Sequence, residues 1–313
     1  MRYWFNLILK SQRKRILWGA FLAFFTALSG VALLALSGWF ITATALAGIS
    51  IVAGIIIQFD MYLPGSGIRF FALSRTIGRY LERIYNHDTI LTLISIFRVR
   101  LFKRLSLLPL ERLRATADSE WLTKLTADLD ALDNILIRFT IPVISAVLLV
   151  LTLTLFLSFV YLEVALYFAV FLLLSLVITI RHTIKKTSPL ADNSSHILSS
   201  LRGSIISHLQ GAFVLQANQM MQHHETELEI ELAELYEVQN ALNSRLGNIQ
   251  LVLDLAFSIA LLALVVFSLA AVVAGDIDGP VAVMFVMLFL GVSELIQNAP
   301  SQFSAWGKTR FSG

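Results

Sequence analysis

Ile16-Leu-Trp-Gly-Ala-Phe-Leu-Ala-Phe-Phe-Thr-Ala-Leu-Ser-Gly-Val-Ala-Leu-Leu-Ala-Leu-Ser-Gly-Trp-Phe40 opens a run of 44 residues, Ile16 to Phe59, with no Asp, Glu, Lys or Arg. One tilted helix crosses a bilayer in about 20 to 25 residues. The run therefore holds one span, a short turn and the start of a second. Gly48-Ile-Ser50 suits the turn, with Gly54 and the Gly38 region competing, and the second span is expected to continue through Pro64-Gly65 to about Leu105. Further uncharged runs extend over Phe139–Leu162, Val164–Ile180, about Leu255–Ala274 and about Val281–Leu290. Asp276, Asp278, Gly279 and Pro280 mark the turn before the last. Of the 313 residues, 57% are hydrophobic and 14% charged, where a soluble domain carries about a quarter charged. The expectation is an all-α membrane protein with six transmembrane helices.

Lys and Arg orient the spans. Lys10, Arg13, Lys14 and Arg15 precede the first. A basic set from Arg98 to Arg138 separates the second from the third, Arg181, Lys185, Lys186 and Arg202 follow the fourth, and Lys308 and Arg310 follow the sixth. The connections near 48–60, 161–163 and 275–280 contain neither residue. Both termini are thus expected in the cytoplasm of a cell whose plasma membrane the chain crosses. Residues 1–15 read as a cytoplasmic or interfacial segment rather than a cleaved signal, and 16–308 as one membrane domain. The net charge of +3 speaks for boundary residues and against a nucleic-acid partner. With no cysteine, disulfides, Cys-zinc sites and Fe–S clusters are excluded.

The outer connections are short, whereas the cytoplasmic ones run from about 88 to 138 and 181 to 248. Leu122, Leu125, Leu129, Leu132 and Leu136 recur at helical spacing, as do Leu228, Leu232, Leu235 and Val238. Long cytoplasmic helical arms joined by short turns describe the type-1 fold of ABC exporters. A generic six-span carrier would have shorter loops.

The second span carries an unusual load. Gly67-Ile-Arg-Phe-Phe-Ala-Leu-Ser-Arg-Thr-Ile-Gly-Arg-Tyr-Leu-Glu-Arg-Ile-Tyr-Asn-His-Asp88 contains Arg69, Arg75, Arg79, Arg83 and His87. The last four are four residues apart, so a helix presents them as one stripe. Cations in a helix that begins in a bilayer need counter-charges, a water-filled cavity or an anionic ligand. Arg75 and Arg79 are read as neutralising an exported anion, against pairing with Glu82 or Glu294.

Ser37-Gly-Trp-Phe40, the block Gly67–Asp88 and Thr126-Ala-Asp-Leu-Asp-Ala-Leu-Asp133 resemble the CydC subunits of bacterial CydDC-type ABC transporters. Leu136-Ile-Arg-Phe-Thr-Ile-Pro142, Leu201-Arg-Gly203 and Leu209-Gln-Gly211 extend the resemblance over nearly the whole chain. Arg-Thr-x-Gly-Arg-Tyr-x-Glu-Arg-x-x-x-His-Asp, Arg75 to Asp88, is its most specific part. Gln216-Ala-Asn218 departs from it, standing where an aromatic-Gly-Ala triplet is common.

The resemblance implies a half-subunit of a heterodimeric exporter with a CydD-like second half. It would move cysteine or glutathione, or handle haem, across the inner membrane in support of cytochrome bd assembly. The resemblance further implies a haem-linked role for His87 as iron ligand, with Arg83 or Arg79 on the propionates. The competing reading of His87 is an interfacial residue that caps polar backbone or pairs with Asp88 or Glu82. The family continues into a nucleotide-binding domain, but no phosphate loop occurs here, since Gly307-Lys308-Thr309 lacks the earlier glycine. That domain is expected to be absent. The chain is therefore expected not to hydrolyse ATP by itself, using it only through that separate domain. A non-transporting membrane subunit for haem binding or assembly is the alternative.

Met61, Tyr62 and Tyr80 read as interfacial or core residues rather than pocket lining. His223 and His224 are adjacent and point about 100° apart on a helix, which does not suit one shared metal ion. His182, His196 and His208 read as solvated. No Ser-His-Asp, paired-carboxylate or HExxH arrangement occurs.

Overall fold

The computed structural model describes residues 2–55, 59–107 and 140–297. Every regular element among them is a helix: α1 Arg2–Val52, α2 Tyr62–Leu105, α3 Ile141–Val160, α4 Leu162–Ala217, α5 Met221–Ala274 and α6 Gly279–Gln297. Five of the six are long and apolar enough to cross a membrane; α2 is not. The sequence leads one to expect six such helices, and the difference lies in the charge stripe that lowers the apolarity of α2. Helix α2 nonetheless runs antiparallel along the apolar length of α1. Leu36 lies beside Gly67, Gly30 beside Arg75, Thr26 beside Gly78 and Gly19 beside Asn86, and the end towards the N-terminus of α1 closes with Arg15 on Asp88.

Two boundaries differ from expectation. Helix α1 continues through Gly48–Ser50 and stops after Val52, where Gly54 at φ +81° ends it. The N–H of Gly54 donates to Ile51 O and that of Ile55 to Ser50 O, both at 3.0 Å. This is the Schellman closure, which needs a left-handed residue that glycine supplies without a Cβ clash. Accordingly α2 begins only at Tyr62, whose N–H donates to the Asp60 carboxylate at 2.8 Å. Pro64 sits in its first turn, where a missing N–H costs nothing. Helix α1 begins at Arg2, so the basic N-terminal residues are helical and continuous with the span.

Between α3 and α4 only Tyr161 leaves helical geometry (φ −157°, ψ 109°). Gly275 at φ +82° ends α5 with the same closure, Asp276 N–H to Ala271 O and Gly275 N–H to Val272 O. The arm expected over 181–248 is one antiparallel pair. Helix α4 runs unbroken past Pro189 to Ala217, and α5 starts at Met221. The counterpart from 108 to 138, with the Leu122–Leu136 repeat and Thr126–Asp133, lies outside the described residues, as do Gly307-Lys308-Thr309.

The main core lies between α1, α3, α4, α5 and α6. Phe168 and Phe171 of α4 meet Phe257 of α5 and Phe289 of α6, with ring centroids 5.2 to 5.9 Å apart. Such tilted and edge-on pairs hold through shape and quadrupole, which matters where lipid supplies no hydrophobic drive between helices. The outer face of α5 is the opposite case. Leu255, Ile259, Leu262, Val266, Leu269 and Val273 are exposed at three- and four-residue spacing, the pattern of a lipid-facing stripe.

Candidate functional site

The stripe on α2 opens onto a cavity of about 880 Å³ between α1, α2, the start of α3 and α6. Arg75, Arg79, Arg83 and His87 all line it, as their four-residue spacing on one helix requires. Arg75 is half-buried, while Arg79, Arg83 and His87 are exposed on the cavity side.

Small residues on α1 and α2 make this possible. A Cβ on Gly30 would stand 3.5 Å from the Arg75 Nε, so the guanidinium lies across the α1 backbone. A Cβ on Gly78 would come within 2.9 Å of Thr26 Oγ1, which holds the two helices close one turn further in. Gly19 likewise leaves the space that the Asn86 amide fills. On the far wall, a Cβ on Gly291 of α6 would meet Val31 at 3.1 Å, which brings Glu294, one turn on, to the same cavity.

The lining therefore combines three guanidiniums and an imidazole with the carboxylates of Glu82 and Glu294. Asp88 is turned away to α1, where Arg15 Nη1 donates to its Oδ2 at 3.1 Å and to Thr92 Oγ1 at 3.1 Å. Two polar side chains that sequence reasoning passed over also face the cavity. Thr26 and Asn86 are 6% and 7% exposed; Thr26 is within reach of the Glu82 carboxylate, and Asn86 Oδ1 has no hydrogen-bond partner among the described residues. Buried polar atoms are normally satisfied, so Asn86 Oδ1 favours an occupant that supplies a donor.

Chemically, the arrangement suits a solute with several carboxylates and at least one cationic group. Arginine's planar fork pairs with carboxylates bidentately, and the two glutamates suit an ammonium. The same donor set fits a porphyrin. The His87 imidazole is a haem ligand type, Arg83 and Arg79 are on its face, and α1 supplies an apolar wall through Ala23, Ala27 and Val31.

Met61, Tyr62 and Tyr80 lie outside this cavity, at 60%, 90% and 66% exposure. His223 and His224 both approach Glu227, at 3.5 and 3.2 Å, and no group of three or more metal-ligating side chains is arranged around an ion among the described residues. His196 is exposed, but His208 is half-buried against His224 rather than solvated, and His182 borders a second cavity.

No family model matches the chain. Over 290 residues it is 28% identical to the glutathione/L-cysteine transport system ATP-binding/permease protein CydC of Escherichia coli strain K12, covering 93% of this chain and 50% of that protein. It is 33% identical over 138 residues to the CydC protein of Haemophilus influenzae, 44% of this chain and 23% of the relative. A CydD protein of the same transport system in Bacillus subtilis is 34% identical over 92 residues, 28% of this chain and 16% of the relative. The chain spans about half the length of the Escherichia coli relative. In sequence the chain is thus similar to CydC-type ABC transporter proteins over about half the length of the Escherichia coli relative, and its all-helical architecture is consistent with an ABC transporter membrane domain.

Proposed function

We propose that the chain is the membrane half of one subunit of a heterodimeric ABC exporter in a bacterial inner membrane, with cysteine or glutathione as cargo. The observation that carries this reading is the lining of the α1–α2–α6 cavity. Arg75, Arg79 and Arg83 stand on one side, with Glu82 and Glu294 to receive an ammonium. Glutathione carries two carboxylates and one ammonium, and relatives of this chain are named for its transport. The antiparallel packing of α2 on α1 supports α2 as the sixth span. The Lys/Arg asymmetry supports cytoplasmic termini.

A CydD-like second half would face this one. Nucleotide-binding domains would act on the arms that α4 and α5 extend beyond the apolar region, converting ATP-driven closure into a rigid-body switch of access. The chain's own residues bind and orient the cargo. Arginine forks fix carboxylates, and the cavity gives these charges a polar surround inside an apolar domain.

The test is ATP-driven glutathione uptake into inside-out vesicles carrying the two-subunit transporter. Removing one charge-assisted contact costs roughly 1.5 to 3 kcal/mol. Arg79→Ala should therefore raise the half-saturating glutathione concentration roughly tenfold or more, and exposed Arg202→Ala on the arm should not. Equal kinetics for Arg79→Ala and the parent would remove the cargo assignment.

His87 and Arg83 together favour a second reading, haem binding linked to cytochrome bd assembly. Haem would supply an iron for the His87 imidazole and propionates for Arg83 or Arg79. His87→Ala should then change the absorption spectrum of the haem-loaded transporter, and Arg83→Ala should weaken retention with little spectral change. A spectrum untouched by His87→Ala returns His87 to a structural role.

A further inference from the structure

A second cavity, of about 520 Å³, lies between α4 and α5 at the root of the arms. Its composition changes from one end to the other. Ile249 and Val252 line the apolar end, and His182, Lys186 and Arg245 line the other, with no carboxylate among the lining residues. This change falls at a defined depth. The uncharged run of α4 ends at Ile180, and Arg181, His182, Lys185 and Lys186 follow; on α5 Arg245 and Asn248 precede the mostly apolar Ile249–Leu253, and Asp254 stands just before the uncharged run that begins at Leu255. The cavity therefore lies at the boundary where α4 leaves its uncharged run and just before that of α5 begins, the headgroup level of the cytoplasmic leaflet with the termini inside. Thr179 lines it too, is 2% exposed, and its hydroxyl has no hydrogen-bond partner among the described residues.

We propose that this cavity binds the phosphate of an anionic membrane phospholipid, clasped by Lys186 from α4 and Arg245 from α5. Two cations from different helices, an imidazole and a free hydroxyl form a set of donors that a phosphodiester satisfies. Basic pockets between spans on the cytoplasmic side take anionic headgroups for this reason. A free phosphate shares that chemistry but leaves the Ile249 and Val252 end uncovered, which acyl chains fill. A choline headgroup would bring a further cation against Lys186 and Arg245. Because α4 and α5 continue from here into the arm, a bound lipid ties the two helices together where they enter the cytoplasm. The inference is independent of what the transporter carries.

Native mass spectrometry of the intact transporter tests it, with phosphatidylglycerol, phosphatidylcholine or inorganic phosphate added at equal concentration. Phosphatidylglycerol should be retained in preference to phosphatidylcholine. Combining Lys186→Ala with Arg245→Ala should weaken that retention at least tenfold, whereas Lys185→Ala, exposed and outside the lining, should not. The charge-preserving pair Lys186→Arg with Arg245→Lys should keep it, which separates lost binding from lost folding. Equal retention by the double alanine variant, or equal retention of phosphatidylcholine, overturns the site. Inorganic phosphate that displaces the lipid stoichiometrically and binds as tightly overturns the lipid reading in favour of a soluble anion.

Discussion

Two antiparallel hairpins carry the long helices, α1 with α2 and α4 with α5, and both close through small residues. In the first, Gly19, Gly30 and Gly78 leave room that larger polar groups occupy: the Asn86 amide, the Arg75 guanidinium and the Thr26 hydroxyl. In the second, the α4 stripe Thr179, Thr183, Thr187, Ala191 and Ser194 is itself the packing surface, 0 to 4% exposed, opposite Leu235, Leu242 and Ile249 of α5. Small residues thus do different work on the two sides. Between α1 and α2 they admit charge to the edge of a cavity, and between α4 and α5 they let two helices run close for the length of an arm. The glycines differ in the same way, since Gly203, Gly211 and Gly247 on the arm have open space where a Cβ would stand.

The contrast is broken most severely at Gly78. Gly78→Leu drives a side chain into Thr26 and the α1 backbone, whose Cα is 3.7 Å from the added Cβ position. Overpacking of this kind costs about 1 to 3 kcal/mol. The purified transporter should melt at a distinctly lower temperature and lose glutathione uptake. Gly211→Leu, on the open face of α4, should leave the melting temperature unchanged. Equal loss in both would mean that glycine is needed in these helices for some reason other than close approach.

The hairpin ends provide a second comparison. The turn after α1 is closed by Gly54 at φ +81°, whereas the turn between α4 and α5 is closed by Gln219 at φ +57°. The closure is the same, with Gln219 N–H to Gln216 O and Met220 N–H to Leu215 O, but a side chain in the left-handed region costs roughly 1 to 2 kcal/mol. Gln219→Gly should stabilise the arm tip by about 1 kcal/mol, since glycine's greater unfolded freedom offsets part of the relief. The amides of Gln219 and Met220 should then exchange roughly fivefold more slowly. Exchange unchanged or faster would show that the turn is not strained.

Much of this architecture is legible in the sequence because charge is forbidden in a bilayer, so uncharged runs mark the spans without reference to packing. The stripe from Arg75 to His87 is legible for the related reason that a four-residue period maps onto one helix face. The end of α1 is not. Within Ile16–Phe59 every residue tolerates a helix, and only the backbone angle at Gly54 distinguishes it from Gly48. Thr26 and Asn86 are equally silent as single residues, since what buries them is the glycine opposite, a partner set by the register of two helices. The stripe from Thr179 to Ser194 repeats at helical spacing, but small and hydroxyl side chains carry no apolar signal, and only the register of α5 buries them.

The smallest expected effect is at the end of the first hairpin towards the N-terminus of α1, where Arg15 meets Asp88 at 3.1 Å with side chains 40% and 65% exposed. An exposed ion pair is worth about 0.2 to 1 kcal/mol, because water already solvates both charges and salt screens their attraction. The second contact of Arg15, to Thr92 at 3.1 Å, adds at most an ordinary hydrogen bond. Arg15→Ala, Asp88→Ala and the double variant therefore form a cycle whose coupling energy should stay below about 1 kcal/mol and fall further in high salt. The cycle also asks whether this end is as open in the assembled transporter as it is in the single chain. A salt-insensitive coupling of several kcal/mol would be that of a pair out of contact with water. The partner half would then cover the mouth of the α1–α2 hairpin, and Arg15 and Asp88 would belong with Gly78 among the positions that hold it together.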